Sequence, residues 1–423
     1  MIKKTWTCLK TVLAVGLDSG ICVKQILFFK IGEKQKSVMN ARDILIALLR
    51  YAIRGGAFDK GALEKALDSK KVATLFTVAQ KHDVAHLVAL ALEDNGIAVE
   101  GEAWQGFLKE KEQAALRYEM IQADISEICA CFEKEKIDHI PLKGAVLRPY
   151  YPQPWYRTSC DIDILVQERD LDRAVDALVK QLGYRVDGKK TYHDISLYSP
   201  FGMHLELPHN IKEHKPEYDG VLSRVWENAP KVAQESCGHR ETNEFLLFHL
   251  TAHMAYHFAS GGCGLRSVLD LWVLNHHLSV DENSLALLLK EAGLDAFYRA
   301  MVSLSEYWFG DESSPLPIVQ DAEKFILLGG AYGTSGQGAI TRQVKRGGKF
   351  KYFWSRVFMP YENLAILYPV IKKHKILTPF CQVARWFGVI FKTKRIRKEI
   401  KKVVSADKAQ IEATAQLLGG LGL

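Results

Sequence analysis

The 423-residue chain has eight cysteines but no C-x-x-C pair among them (Cys8, Cys22, Cys129, Cys131, Cys160, Cys237, Cys263 and Cys381). In a chain of this length that absence argues against a zinc ribbon and against the disulfide framework of a small secreted domain. Reduced thiols and a cytoplasmic setting are the expectation. No run reaches the roughly 18 uninterrupted apolar residues that a membrane-spanning helix requires. The N-terminus, MIKKTWTCLKTVLAVGLDSGICVKQILFF, has a basic start and a short apolar run. Asp18 and Lys24 interrupt that run and no A-x-A-like site follows, so it does not read as a signal peptide. A phosphate-binding G-x-x-x-x-G-K-[ST] loop is also missing. The glycine-rich stretch GGAYGTSGQG lacks the Lys-Ser/Thr pair and follows no strand, so residues 329–349 are expected to be a flexible loop. No internal repeat is visible.

What is present is an ordinary globular composition, 48% hydrophobic and 25% charged, with enough apolar mass for a sizeable core. The length suggests two or three domains. The net charge of +7 is unevenly spread. From Arg342 to Lys402 the chain carries 17 lysines and arginines against two acids, Glu362 and Glu399. Aromatics are interleaved with them (Tyr352, Phe353, Trp354, Trp386, Phe387, Phe391), and KTKRIRKEIKK is the most anion-attracting stretch. The segment suits RNA or an anionic membrane surface, and equally an amphipathic helix whose lysines face water.

Hydrophobic periodicity divides the rest. Residues 1–38 read as an extension, either a misread start or a loose arm, ahead of a helix opening at Met39 with Asn40 as its cap. Residues 39–136 are helical in pattern, as in KVATLFTVAQKHDVAHLVALALEDNG. The texture changes at Ile137. IDHIPL and CDIDILV read as strands, ERDLDRAVDALVKQLGY as an amphipathic helix, and HDISLYSP and MHLELP as two strands joined at Phe201-Gly202. Strand, helix, strand, helix, strand, strand over 137–210 is a small α/β sheet unit. Residues 211–328 are helical, and 350–423 form a basic helical region.

Asp161 and Asp163 lie two residues apart in a strand, so they share a face. Two ionised side chains on a packed strand are costly and repel each other. A divalent cation with oxygen ligands removes both costs. The alternative is a pair of exposed aspartates on a solvated edge. Glu206, flanked by apolar residues on a later strand, is a third acid placed to face them. Three such acids can hold two Mg²⁺ ions, which align a hydroxyl with a phosphorus and stabilise the leaving pyrophosphate. Gly144, after the first strand, permits close backbone approach to a phosphate.

A glycine after a first strand, D-x-D on a second and a single acid on a third resemble the polymerase-β-like nucleotidyltransferase superfamily. A nearer resemblance is to a largely uncharacterised bacterial family of nucleotidyltransferases, over roughly residues 45 to 400. It rests on LFTVAQKHDVAHLV, PLKGAVL, YRTSCDIDILV, LLFHLTAHM, LRSVLDLWVL and FMPYENLAILYPVIKKHKIL. The resemblance implies an α+β fold, a small mixed-sheet core flanked by N-terminal and C-terminal helical regions. It implies Asp161, Asp163 and Glu206 as ligands of Mg²⁺, with Glu206 also a candidate for taking the acceptor's proton. It implies Lys143, Gly144 and Arg157 beside the triphosphate of a nucleoside triphosphate, ATP being the expectation, and a hydroxyl-bearing acceptor. The chain departs from the pattern in having Ala145 where Ser or Gly usually follows Gly144.

His249, His253 and His257 recur every four residues and share one helix face. Packed interior histidines, contacts with substrate and a metal-dependent phosphohydrolase site are the three readings. Asp270, on an apolar helix, is expected to pair with Arg266 or with one of the histidines. A non-catalytic relative that keeps the fold as a binding module is the alternative to an enzyme.

Overall fold

The structure, a computed structural model, describes residues 40–423 apart from 57–58, 189–190, 214, 313–314, 331–334, 346–357, 360 and 392–407. The expected 1–38 extension and the KTKRIRKEIKK stretch therefore fall outside the described residues, as do residues 346–357, which span the end of the expected 329–349 loop and the start of the 350–423 basic region.

Helices α1 (Ala41–Arg54), α2 (Lys60–Ala66), α3 (Ser69–Lys81), α4 (Ala85–Asp94) and the long α5 (Glu102–Lys134) lead into the sheet. Asp59 and Asp68 cap α2 and α3 by accepting the Ala62 and Lys71 N–H groups, which supplies partners to otherwise orphaned donors. The sheet region runs β1 (His139–Pro141), the single turn α6 (Gly144–Leu147), β2 (Asp161–Val166), α7 (Leu171–Leu182), β3 (Arg185–Asp187), β4 (Asp194–Tyr198) and β5 (His204–Pro208). Gly183 ends α7 in the left-handed conformation, φ 70°, and Gly202 turns the β4–β5 joint with φ 84°.

The strand order is β1-β2-β5-β4-β3. β1 pairs antiparallel with β2, β2 parallel with β5, and β4 antiparallel with both β5 and β3, so the sheet is mixed. Alternation decides its two faces. Ile162, Ile164 and Val166 of β2, Ile195 and Leu197 of β4, and Leu205 and Leu207 of β5 pack with Ile128 and Phe132 of α5 and Leu171, Ala174 and Leu178 of α7. One face is thus a core sealed by two helices, and the intervening residues, Asp161 and Asp163 among them, point to the other.

Beyond the sheet come α8 (Pro216–Leu222), α9 (Asn243–Phe258), α10 (Leu265–His277), α11 (Glu282–Glu291), α12 (Asp295–Phe309), α13 (Pro317–Gly329) and α14 (Ser335–Lys345). The fold is α+β, as expected. Three local expectations are corrected. β3 is an extra strand. Within the region expected to be helical, the stretch SLALLLKEAGLDAFYRAMVSLSEYWFG (Ser284–Gly310) breaks between α11 and α12, where Gly293 adopts φ 67°. The expected flexible loop is helical over Ser335–Lys345. There Gln337 donates to the Phe325 carbonyl at 2.7 Å, and Thr341 and Gln343 are fully buried. Packing overrides the poor helix propensity of Gly336 and Gly338. Residues Ala41–Leu423 form one compact unit. No helix among the described residues is long and apolar enough to cross a membrane.

Candidate active site

The β2–β5 register sets Asp163 directly opposite Glu206 and Asp161 opposite His204. Partners in such a pair present their side chains on the same face, so the three acids occupy neighbouring positions away from the apolar core. Asp163 is 5% exposed. Burial alone would push its carboxyl up. The Lys143 ammonium, by charge and by a hydrogen bond, outweighs burial and holds it below the usual carboxylate range. Glu206 has no such partner. Burial, then the charge on Asp163, pushes its carboxyl up to about 7.

Lys143 stands in the turn between β1 and α6 with φ 45°, a conformation that residues with side chains avoid. The turn delivers its Nζ to Asp163 Oδ1 at 2.9 Å. Burial opposes the charge on Lys143, but Asp163 outweighs it and holds the ammonium above its ordinary range. Gly144 follows because there is no room for more. A Cβ there would lie 3.2 Å from Ser159 Oγ and 3.3 Å from Arg157 Nη1.

Lys143, Gly144, Asp161 and Asp163 border a cleft with about 120 Å³ of free space. Helices α9, α10 and α12 supply its other walls: Leu250, Met254, Leu271, Leu274, Phe297 and Met301 as apolar surface, with His253 and His257 among them. A smaller cavity of about 50 Å³ shares Lys143 and Asp163 with the cleft. It is bordered by Glu206, Asp194, Lys212, Glu213 and His249. Glu206 therefore lies on the small-cavity side of the Lys143–Asp163 pair.

The donor chemistry suits a hard divalent cation: three carboxylates on adjacent strand positions, one of them unwilling to ionise beside its neighbour. Among the described residues, no three or more His, Cys, Asp and Glu side chains close into a ready-made ligand cage. Lys143 is the cation that neutralises Asp163.

Arg157 lines the cleft together with Lys143 and Gly144, and its guanidinium is held there in a pair with Asp270. Its Nε and Nη2 donate to Asp270 Oδ1 and Oδ2 at 3.1 and 3.0 Å, and its Nη1 donates to the Thr158 carbonyl at 2.7 Å. Both side chains of the pair are under 10% exposed. Burial opposes the charge on Arg157, but Asp270 outweighs it and keeps the guanidinium above its ordinary range. Tyr151 Oη also donates to Asp270, at 2.6 Å. This corrects the expected partner of Asp270. Arg266, one turn away, instead bonds Asp83, the residue that also accepts from Thr158 Oγ1 at 2.9 Å. The network ties the α3–α4 turn, the segment before β2 and helix α10 together around Gly144.

The histidine row divides in the same way. His249 Nδ1 pairs with Glu241 Oε1 at 2.9 Å, both buried. His253 Nδ1 pairs with Glu213 Oε1 at 2.6 Å. The His257 ring stands edge-on to that of His253, centroids 4.4 Å apart. Two of the three histidines are thus each held to a carboxylate through Nδ1. Glu213 and Asp83 are functional-site residues that sequence reasoning missed. Both lie in polar turns whose partners are far along the chain.

The chain has no match among curated proteins. It is similar to the solution structure of the antibiotic-resistance factor ANT(2'')-Ia, with 13% identity and a TM-score of 0.31, over 44% of this chain and 96% of that one. Residues 68–310, more than half the chain, match a family described as an uncharacterised nucleotidyltransferase, and the chain belongs to that family.

Proposed function

We propose that the protein moves a nucleoside monophosphate, AMP from ATP, onto a hydroxyl of a small molecule, protein or RNA, with Mg²⁺ as cofactor. The observation that carries this reading is the register of β2 on β5. It sets Asp163 beside Glu206, with Asp161 two residues away on the same face, at the edge of a cleft. A divalent cation held by Asp161 and Asp163, with Glu206 as a further oxygen donor, would supply charge neutralisation for the triphosphate and the leaving pyrophosphate.

The chain's own residues do the rest. Lys143 is a mobile point charge suited to phosphate oxygens once a cation relieves it of Asp163. Gly144 leaves its backbone open to close approach. The apolar walls from α9, α10 and α12 exclude water and hold the acceptor's non-reacting part, and positioning of this kind accounts for much of the rate in phosphoryl chemistry. Arg157 acts at one remove, by fixing the Gly144 turn against α10.

The test is incubation of the full chain and Mg²⁺ with each α-labelled nucleoside triphosphate and a cell extract, followed by separation of the labelled products. The expected result is one labelled product class, strongest with ATP and absent with Asp161→Ala. Labelling that Asp161→Ala leaves unchanged overturns the reading. Binding of ATP without any turnover would place the chain among non-catalytic relatives.

A further inference from the structure

One half-buried group in the cleft has no part in the mechanism so far. His253 sits on α9 between the two cavities. Its ring lines the cleft with Asp161 and Asp163, while its partner Glu213 borders the smaller cavity. The contact is short, Nδ1 to Oε1 at 2.6 Å. Glu213 is itself held, because the Glu213 and Lys215 N–H groups both donate to the Asp219 carboxylate at 2.8 Å. Burial pushes the Glu213 carboxyl up, and in its ionised form it only accepts, so that Nδ1 then carries the proton and Nε2 the lone pair. Among the described residues Nε2 has no hydrogen-bond partner. A histidine fixed through Nδ1 with a free Nε2 in a substrate cleft has the form of a general base. Glu206 is worse placed for that task, since it borders the small cavity and not the cleft.

We propose that His253, oriented by Glu213, takes the proton from the acceptor hydroxyl in the cleft beside Asp161 and Asp163. The inference rests on the nucleotidyl-transfer reading and deepens it. As the acceptor O–H bond breaks, its electron pair forms the new bond to the α-phosphorus. The bond from that phosphorus to the bridging oxygen breaks, and pyrophosphate leaves with the pair. The proton resides on His253 Nε2 and passes to water when product departs. The charged and titratable groups around the imidazole are Lys143 in the turn, Asp163 on β2, Glu213 in the loop after β5, and His249 and His257 on α9. Burial, then Lys143 and the two histidines, hold His253 well below its ordinary range, so the ring is neutral and able to accept at pH 7. Glu213 is a positioning residue, acting through the imidazole.

The experiment follows pyrophosphate release by the full chain from each nucleoside triphosphate with Mg²⁺, with water or glycerol as the acceptor. His253→Gln is expected to lower kcat about 100-fold or more, with KM for the nucleotide within about two-fold of wild type. Glu213→Gln should lower kcat about ten-fold with KM equally unmoved. Free imidazole should restore part of the turnover of His253→Gly, which a purely structural histidine would not allow. If His253→Gln folds poorly, the imidazole dependence of His253→Gly decides. Wild-type turnover in His253→Gln, or no response of His253→Gly to imidazole, overturns the inference and leaves the nucleotidyl-transfer reading standing. A wild-type protein silent with every nucleotide, both here and with a cell extract as the source of acceptor, overturns that reading, and this inference with it.

Discussion

Asp270→Asn is the perturbation whose cost follows most directly from the structure. The Asp270 carboxylate takes three hydrogen bonds, two from Arg157 and one from Tyr151. An amide there keeps one oxygen, which still serves Tyr151 and Arg157 Nε. Its nitrogen turns two hydrogens toward Arg157 Nη2, a donor facing a donor. The guanidinium, 8% exposed, also loses the charge that balances it. Breaking a buried pair by removing one partner costs about 3–5 kcal/mol, a large part of the roughly 5–15 kcal/mol that domains have in total. At about 1 °C per kcal/mol for a cooperative unit of this size, Tm should fall by about 3–6 °C. The control removes every member of the network at once: Tyr151→Phe, Arg157→Met and Asp270→Leu together. Replacing a buried pair by apolar groups of similar volume is often neutral or stabilising, so this variant should recover most of the loss. Urea titration and scanning calorimetry of the two variants measure both quantities. An Asp270→Asn cost under about 1 kcal/mol, or a triple variant no more stable than the single one, would refute the reasoning.

Three further outcomes are expected. Lys143→Met leaves Asp163 buried without a cation, so the variant should be destabilised by about 3–5 kcal/mol, and millimolar Mg²⁺ should raise its Tm more than it raises that of wild type. Glu206 is pushed above its ordinary 4.5 to about 7. Folding therefore takes up a proton, the stability this gives is complete below about pH 4.5, and it is lost as pH rises through about 7. Mg²⁺ binding at pH 6.5 should release protons, read as a dependence of the binding heat on the buffer's ionisation enthalpy. Glu133 moves the opposite way: the Ser236 hydroxyl, then the Cys237 and Gly238 N–H groups, pull its carboxyl down to about 2. Its contribution is present above about pH 4.5 and lost as pH falls through about 2, and Glu133→Gln should cost about 1 kcal/mol at pH 7 after solvent screening.

The parts of the fold that local pattern determines were legible in the chain. The first four residues of DIDILV alternate, so the two faces around Asp161 and Asp163 can be assigned from residue type alone, and Glu206 between Leu205 and Leu207 follows the same rule. Arg185–Asp187 is only three residues long and all three are exposed, so pairing with β4 rather than a buried face marks them as a strand. The Arg157–Asp270 pair joins positions 113 residues apart, and Arg266, one turn from Asp270, offered a nearer partner by spacing alone. Glu213 lies in a polar loop, and its meaning comes only from His253, 40 residues on. The helix at Ser335–Lys345 carries two glycines that local propensity counts against it, and its buried Thr341 and Gln343 record the packing that overrides them. The site was thus readable where it depends on strand periodicity and unreadable where it depends on contacts between distant elements.

The central claim is that the acids on β2 engage a nucleotide through a divalent cation. Isothermal titration of the full chain with ATP, with and without Mg²⁺, measures this most directly. Binding heat should appear only when Mg²⁺ is present and should vanish in Asp163→Asn, with that variant still melting cooperatively. Equal heat from Asp163→Asn, or equal heat without Mg²⁺, would contradict the account.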